Sequence, residues 1–449
     1  MTKAFTPKAS EPMVNGFDSS HIDRLPPRTR QQVGERERLL GPGYRLFYEE
    51  PVEIVRGAGT LLYDADGNDY LDVYNNVTSV GHCHPYVVEA VHRQLSTLNT
   101  NTRYIQQSIL SYSQQFLGTM PVELGHVMFT CTGSEANDLA MRVARYYTGN
   151  QGIIVTAGAY HGLTSDVSAF SPSLGVGVPL GPHVRTISAP DRLRRGDDVA
   201  AGMRLEIREA ISDLHRHGFG VAAFIADTIF SSDGIYADPA GFLRPILEEV
   251  HDAGGLFIAD EVQPGFGRTG RHWWGFQRHG VVPDIMTTGK PMGNGIPIAA
   301  AAFRPELLVE FGRNIRYFNT FGGNSVSIAA AQAVLDVIDD EGLIDNADTV
   351  GDHIQSEITK LAADYEQIAE VRGAGLFVGV DIVTDRDSLT PDGEATLRVV
   401  NHMRRRRILI SASGPRGSVL KVRPPLTFSI SDADRMLENL AVVLAEELH

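Results

Sequence analysis

The chain has 449 residues, of which 43% are apolar and 21% charged, proportions that exclude global disorder, collagen-like repeats and a heptad-dominated rod. Lys plus Arg minus Asp plus Glu is 40 − 55 = −15, so nucleic acid and anionic membrane surfaces are poor partners. Two cysteines, Cys83 and Cys131, cannot build a disulfide framework, and no apolar run approaches the roughly 18 residues that span a bilayer, which points to a reducing, cytoplasmic setting.

At about 100–200 residues per domain, the length predicts two to four domains or one large α/β unit with an appendage. Residues 1 to about 50 mix polar stretches with Pro26-Pro27 and the alternating run Glu35-Arg36-Glu37-Arg38, which reads as an arm plus a short helix. The opening residues carry no apolar core of a secretory signal. GTLLYDADGNDYLDV (59–73) reads as a hairpin turning at Asp66-Gly67. From about residue 85, strand and helix patterns alternate. HVMFT (126–130), GIIVTA (152–157), VAAFIAD (221–227), GLFIAD (255–260) and DIMTTG (284–289) have the continuous apolar character of parallel strands buried on both faces. Helical patterns lie between them, as in EANDLAMRVARYY (135–147) and GFLRPILEEVHDAG (241–254). This alternation predicts an α/β fold with a mainly parallel sheet. The helical run SIAAAQAVLDVIDDEG (327–342) leads into a mixed segment, LKVRPPLTFS (420–429) and a last helix, a smaller α+β domain. The expected division is an arm and part of the small domain at 1–78, a large domain at 79–330, and a C-terminal small domain at 331–449.

Only five of the 40 basic residues are lysines: Lys3, Lys8, Lys290, Lys360 and Lys421. Lys290 follows an apolar strand inside the Gly-rich turn TGKPMGNG. A lysine partly desolvated there has a lowered pKa and a nucleophilic amine, although a solvated loop lysine is the ordinary reading. Asp260 ends another apolar strand, where an acid points into the crevice of an α/β sheet, although it could equally cap a helix or pair with a base. A pyridoxal phosphate enzyme needs this pair, a lysine for the Schiff base and an acid on the pyridine nitrogen. Thr132, Gly133 and Ser134 precede a helix, and its N-terminus would favour the cofactor phosphate or serve as an ordinary cap.

Together with GHCHP (81–85), TGSEAN (132–137), AYHG (159–162), ADEVQPGFGRTG (259–270), TGKPMGNG (288–295) and FNTFGGN (318–324), these segments resemble the class III aminotransferases of pyridoxal phosphate fold type I. The resemblance implies that Lys290 carries the cofactor, Asp260 pairs with its ring nitrogen, and Gly133 and Ser134 hold its phosphate. It implies that Tyr160 and Val262 flank the ring, that Gln263 lies near the ring hydroxyl, and that Thr320 reaches the phosphate of a neighbouring subunit in a homodimer with shared sites. YNNVTSVGHCHP (74–85), LNTNTRY (98–104), HWWGFQ (272–277), FNTFGGNSVS (318–327) and SASGPRGSVLKVRPPL (411–426) resemble the ethanolamine-phosphate phospho-lyase branch, which also holds phosphohydroxylysine phospho-lyases.

Glutamate-using members of the family bind the substrate carboxylate with a switchable Arg–Glu pair. Alignment puts Ser232 in place of that Glu and Lys421 in place of that Arg. Phosphoethanolamine has no carboxylate, and its phosphate suits Arg or Lys. Candidate substrate contacts are Arg103, Arg416, Lys421 and Arg423, with Asn75 and Asn76 in a loop that faces the site in the family. Each also reads as an ordinary surface, salt-bridge or turn residue. GHCHP lacks metal-ligand spacing, so no metal is expected. MRRRRILI (403–410) reads as a solvated helix end before a strand, and GFGRTG has the wrong spacing for a dinucleotide site. The expected reaction is β-elimination of phosphate from O-phosphoethanolamine, giving acetaldehyde, ammonia and phosphate. The alternatives are amino transfer to pyruvate or glyoxylate, or a catalytically silent cofactor-binding protein.

Overall fold

The computed structural model describes residues 13–448; Lys3, Lys8 and the start of the expected arm lie outside the described residues. The rest of the arm contains a helix at Pro27–Leu40. Ile54–Ala58 (β1), Leu61–Asp64 (β2) and Asp69–Asp72 (β3) form an antiparallel ribbon, with Leu61 opposite Leu71 and Tyr63 opposite Asp69. Its second turn is the expected Asp-Gly turn. Gly67 takes φ +85, and the Asp64 carboxylate accepts from the amides of Asp66 (3.0 Å) and Asn68 (2.8 Å), which is why this turn chemistry closes the hairpin.

The apolar runs become the core of a seven-stranded sheet. Its strands are His126–Thr130 (β4), Ile153–Thr156 (β5), Val184–Ile187 (β6), Ala223–Ala226 (β7), Leu256–Asp260 (β8), Ile285–Thr288 (β9) and Ala299–Phe303 (β10), in the spatial order β4-β10-β9-β8-β7-β5-β6. All pairs from β9 to β6 are parallel, and only β10 runs antiparallel to its neighbours. Side chains of one strand alternate between two apolar layers. Ile154, Phe224, Phe257 and Met286 join one core with the helices Val199–Arg216, Arg244–Asp252 and Ser325–Asp340. Their neighbours Val155, Ile225, Ile258 and Ile285 join another with the helices Gly133–Thr148 and Pro305–Asn314. Burial on both faces explains why these strands read as unbroken apolar runs and not as alternating ones.

Ile368–Ala374 (β11), Phe377–Ile382 (β12), Ser411–Ser413 and Val419–Val422 form an antiparallel sheet, while the short strand Ile408–Leu409 adds in parallel to β3. In chain order these last three strands are β13 (Ile408–Leu409), β14 (Ser411–Ser413) and β15 (Val419–Val422). The C-terminal segment therefore completes a sheet begun before residue 73. The helix Gly393–Arg405 ends ahead of β13, so the basic run of MRRRRILI is a helix end followed by a strand.

Because β4, β5, β7, β8 and β9 point the same way, the loops after them meet at one edge of the sheet, where ligands bind in open α/β folds. Phe257 is fully buried at the middle of β8 and stacks on Phe224 of β7 at 5.9 Å between ring centroids. Phe257→Ala is expected to cost about 3–5 kcal/mol through lost burial and a residual cavity, read as a lower apparent melting temperature with unchanged far-ultraviolet dichroism at 20 °C.

Candidate active site

After β4 the chain turns through Thr132 into the helix Gly133–Thr148. Thr132 Oγ1 accepts from Glu135 N (3.2 Å), and Glu135 Oε2 accepts from the amides of Thr132 (3.3 Å) and Cys131 (2.7 Å). This capping box leaves the first two helical amides, those of Gly133 and Ser134, without an intrahelical or capping partner, in a pocket they line. The loops here approach closely. A Cβ on Gly133 would sit 2.9 Å from Val262 Cγ2, and one on Gly162 (φ +140) would sit 2.4 Å from Ser134 Oγ. Leu163 N donates to Ser134 Oγ at 3.2 Å, fixing the loop after β5 against the helix start.

Asp260 ends β8 and is buried. Its Oδ2 accepts from Asn137 Nδ2 (2.9 Å) and meets His161 Nδ1 (2.8 Å), and its Oδ1 accepts from Val262 N (3.1 Å). Asn137 is itself oriented: Thr287 Oγ1 donates to its Oδ1 (2.6 Å), and its Nδ2 also reaches His161 O (2.7 Å). Four strand ends, those of β4, β5, β8 and β9, thus meet at one carboxylate. Glu261, the next residue, faces the opposite way and is fully buried. It accepts from Thr228 Oγ1 (2.7 Å), Gly275 N (2.7 Å) and Phe276 N (2.8 Å). Burial pushes its carboxyl up to about 7 against the pull of those donors.

Lys290 begins a short 3-10 turn after β9. Its side chain is accessible to solvent inside the pocket, yet protein rings the pocket closely. Desolvation, aided by the charge of Arg423, lowers its amine pKa, and Asp260 and Asp227 oppose the shift. Asp227 follows β7 and lines the same pocket. It accepts from Ile229 N (3.0 Å), Ser231 N (3.2 Å) and Ser231 Oγ; burial first, then the charge of Asp260, raises its pKa against the pull of those donors. Tyr160, His161, Gly162, Asp260, Val262 and Gln263 complete the lining. Burial first, then Asp260, raises the Tyr160 phenol pKa.

Two buried cations lie on or just after β15. Arg423 donates to Tyr74 O through Nε (3.0 Å) and Nη2 (2.9 Å) and to Gln263 Oε1 through Nη1. Lys421 is 7% exposed, its Nζ lies 5.4 Å from the Phe377 ring centroid, and among the described residues it has no hydrogen-bond or ion-pair partner. Burial, then Arg423 and Lys290, pull its pKa well below the ordinary lysine value, while Asp227 works against them.

The structure thus brings Gly133, Ser134, Tyr160, Asp260, Val262, Gln263 and Lys290 to one pocket. Asn76 stands behind it, tying Gln263 O (3.1 Å) to Arg268 Nε (3.1 Å), so its side chain is spent on the protein. Asn75 Oδ1 accepts from Val77 N at 2.9 Å, ordinary turn chemistry. Arg103, Thr320 and Arg416 are exposed and do not line the pocket of their own chain, and the Arg103 guanidinium lies 3.8 Å from the Phe318 ring centroid. In GHCHP, His82 pairs with Asp72 (2.7 Å), Cys83 is exposed, and His84 meets Glu341 (3.1 Å). Sequence reasoning passed over Asp227, His161 and Asn137. Asp227 was within reach, since VAAFIAD ends in an acid just as GLFIAD does.

The sequence pattern of the family "Aminotransferase class-III" matches residues 47–444. The chain belongs to the class III aminotransferase family. An "Alanine--glyoxylate aminotransferase 2-like" protein of Drosophila melanogaster is 40% identical over 92% of this chain and 87% of the fly protein. "Ethanolamine-phosphate phospho-lyase homolog 1" of Caenorhabditis elegans is 37% identical over 90% of this chain and 91% of the worm protein. A phospholyase from Arthrobacter, solved in complex with phosphoethanolamine, superposes with a TM-score of 0.90 at 42% identity, covering 92% of this chain and 99% of that one. Members of this family depend on pyridoxal phosphate. The residues present fit that group: unclaimed helix amides beside a glycine whose Cβ would fill the cradle, a reachable amine of lowered pKa, and a buried carboxylate. None of the described helices is long and apolar enough to cross a membrane. Gly133→Ala should lower cofactor affinity at least tenfold without unfolding the helix, since the added methyl must displace Val262; equilibrium titration of the apoprotein with pyridoxal phosphate measures it.

Proposed function

We propose that this class III enzyme is a phospho-lyase that eliminates phosphate from O-phosphoethanolamine and releases acetaldehyde and ammonia. The carrying observation is Lys421, a buried amine near Lys290 with no partner among the described residues, together with Ser232 at the position of the family's switching glutamate. The Arthrobacter phospholyase and its bound phosphoethanolamine support the same substrate class.

Pyridoxal phosphate, when bound, supplies an electron-accepting ring next to the carbon that carries the substrate amine. Gly133 and Ser134 amides would hold its phosphate, Asp260 would accept from its ring nitrogen, and Tyr160 and Val262 would confine the ring. The Lys290 amine takes the proton from the carbon bearing nitrogen, a role its lowered pKa favours. The C–O bond on the adjacent carbon then breaks, and phosphate leaves with the electron pair. Lys421 meets the leaving charge, and an arriving phosphate dianion supplies the counter-charge that keeps its ammonium protonated. The two-carbon enamine takes up water to give acetaldehyde and ammonia, so no amino acceptor is consumed. Arg423 is committed to Tyr74 and Gln263 and acts on the phosphate through its charge. Asn76 supports the pocket from behind.

Arg103, Arg416 and Thr320 are proposed to act across a homodimer with shared sites. Tyr104, Ile105, Phe318 and Phe321 are exposed beside Arg103 and Thr320, an apolar surface of the kind a second copy covers. We propose a cytoplasmic setting, consistent with two free cysteines, and a division of labour among segments 1–78, 79–330 and 331–449. The fly relative favours a second reading, amino transfer to pyruvate or glyoxylate.

The cofactor-loaded protein should release phosphate from O-phosphoethanolamine with no amino acceptor present, and Lys290→Ala should abolish release. Amino transfer to pyruvate or glyoxylate without phosphate release would establish the second reading. Lys421→Met should raise KM for O-phosphoethanolamine roughly 10- to 100-fold, the loss expected for a buried charged contact. Because the Lys421 pKa is lowered, its ammonium is lost at a lower pH than that of an ordinary lysine, so kcat/KM should fall on the alkaline side. Lys421→Arg should move that alkaline limb upward, which a pH–rate profile reads directly.

A further inference from the structure

A carboxylate offers roughly four lone-pair positions. At Asp260 three are filled by donors of this chain: Asn137 Nδ2 (2.9 Å) and His161 Nδ1 (2.8 Å) on Oδ2, and Val262 N (3.1 Å) on Oδ1. One position on Oδ1 remains. Among the described residues, the His161 ring has a single polar partner. Its Nε2 is buried with none, and the Phe170 ring lies 6.2 Å away between centroids. A protonated imidazolium would leave an N–H donor unmet in that dry wall, which is costlier than an unmet lone pair on a neutral ring. The tautomer with hydrogen on Nδ1 therefore fits, because Asp260 can only accept there. The ring is clamped from its own backbone as well: His161 N donates to Ser171 Oγ (3.0 Å), and His161 O accepts from Asn137 Nδ2 (2.7 Å). Thr287 Oγ1 donates to Asn137 Oδ1 (2.6 Å), so the Asn137 amide cannot flip and present oxygen to Asp260.

We propose that His161, as the neutral Nδ1–H tautomer, and Asn137 are positioning residues that hold Asp260 as a carboxylate with one acceptor position left for the cofactor's ring nitrogen, and so keep that nitrogen protonated. His161 borders the pocket and Asn137 lies behind Asp260, and in this proposal both act through that carboxylate. Remove a donor from Oδ2 and the carboxylate is freer to turn or to take a proton itself, and in either case the hydrogen bond to the ring nitrogen weakens. The inference rests on the cofactor alone and stands whether the enzyme eliminates phosphate or transfers an amino group.

The test uses pyridoxal phosphate carrying nitrogen-15 in the ring, bound to the full-length protein with no substrate. The ring-nitrogen chemical shift separates pyridinium from neutral pyridine, and cofactor affinity is titrated in parallel. Wild type should show the pyridinium shift. His161→Leu should move the shift toward neutral pyridine and weaken cofactor binding roughly tenfold or more. His161→Asn should retain the wild-type shift, because its amide nitrogen falls where Nδ1 was. His161→Gln places its amide nitrogen nearer the Nε2 position and should not rescue. In an Asp260→Ala background, His161→Leu should cause no further change in shift. The Asn and Gln variants carry the decision if the Leu variant fails to fold. A purely structural role would lower the melting temperature in all three variants while leaving the nitrogen shift at the wild-type value, and that result overturns the proposal. An equal shift for the Asn and Gln variants, or an undiminished effect of His161→Leu without Asp260, overturns it as well.

Discussion

Asp260 stands at the end of a strand whose five residues are all buried, and a carboxylate keeps its charge in such a place only when donors surround it. Those donors come from far along the chain. Asn137 belongs to the helix after β4, His161 to the loop after β5, and Thr287, which orients Asn137, to β9. Parallel strands make this convergence possible, because their ends gather at one edge of the sheet however distant they are in sequence. The satisfied carboxylate is thus also a geometrical tie. It fixes the relative positions of the start of the helix Gly133–Thr148, the loop carrying Tyr160, and the strand that delivers Lys290.

Glu261 shows the same constraint solved for a structural end. One residue further along, it turns away from the pocket and uses both oxygens on Thr228 and the amides of Gly275 and Phe276. Like Asp260 it meets three donors, but it does not line the pocket, and its role is to seat the turn that follows. Two adjacent acids, pointing to opposite sides of the strand, therefore serve different purposes. What separates them is which one faces the pocket, not burial, which both share.

Much of this was legible in the sequence because it depends on short-range pattern. Unbroken apolar runs marked the strands covered on both faces, the Asp-Gly turn marked the hairpin, and Thr132, Gly133 and Ser134 marked a helix start. Lys290 and Asp260 stood out because each follows such a run, and the family resemblance assigned their partners at the cofactor. β10 escaped, since AAAAF is an alanine-rich stretch of low strand propensity that becomes a strand only by filling the slot between β4 and β9. His161 and Asn137 escaped for a different reason. Their partner lies 99 and 123 residues away, and no local pattern encodes a contact at that range. Asn76 is the converse case. The loop was assigned to the site, but its side chain faces Gln263 and Arg268 from behind.

The cationic side of the pocket follows from what is missing. A family member with a glutamate at the position of Ser232 can neutralise its substrate-binding cation and then release it again. Here that position carries a hydroxyl, and the loop around it is held on three sides. Ser231 Oγ donates to Asp227, Ser413 Oγ donates to Ser231 O at 2.7 Å, and Arg372 donates to Gly234 O (2.8 Å) and Ile235 O (2.9 Å). Neither the side chain nor the backbone is equipped to swing a counter-charge in and out. Lys421 is therefore left facing Asp227 as its one nearby opposing charge, and Asp227 is already occupied by three donors from its own loop. Under the proposed reaction, Lys421 would answer the charge of the group that arrives by holding a proton, not by a conformational response to it. In that proposal a phosphorylated amine would bring two negative charges to the site and the departing phosphate would carry them out again, so the site would return to its starting state without the moving part that a two-substrate transaminase requires.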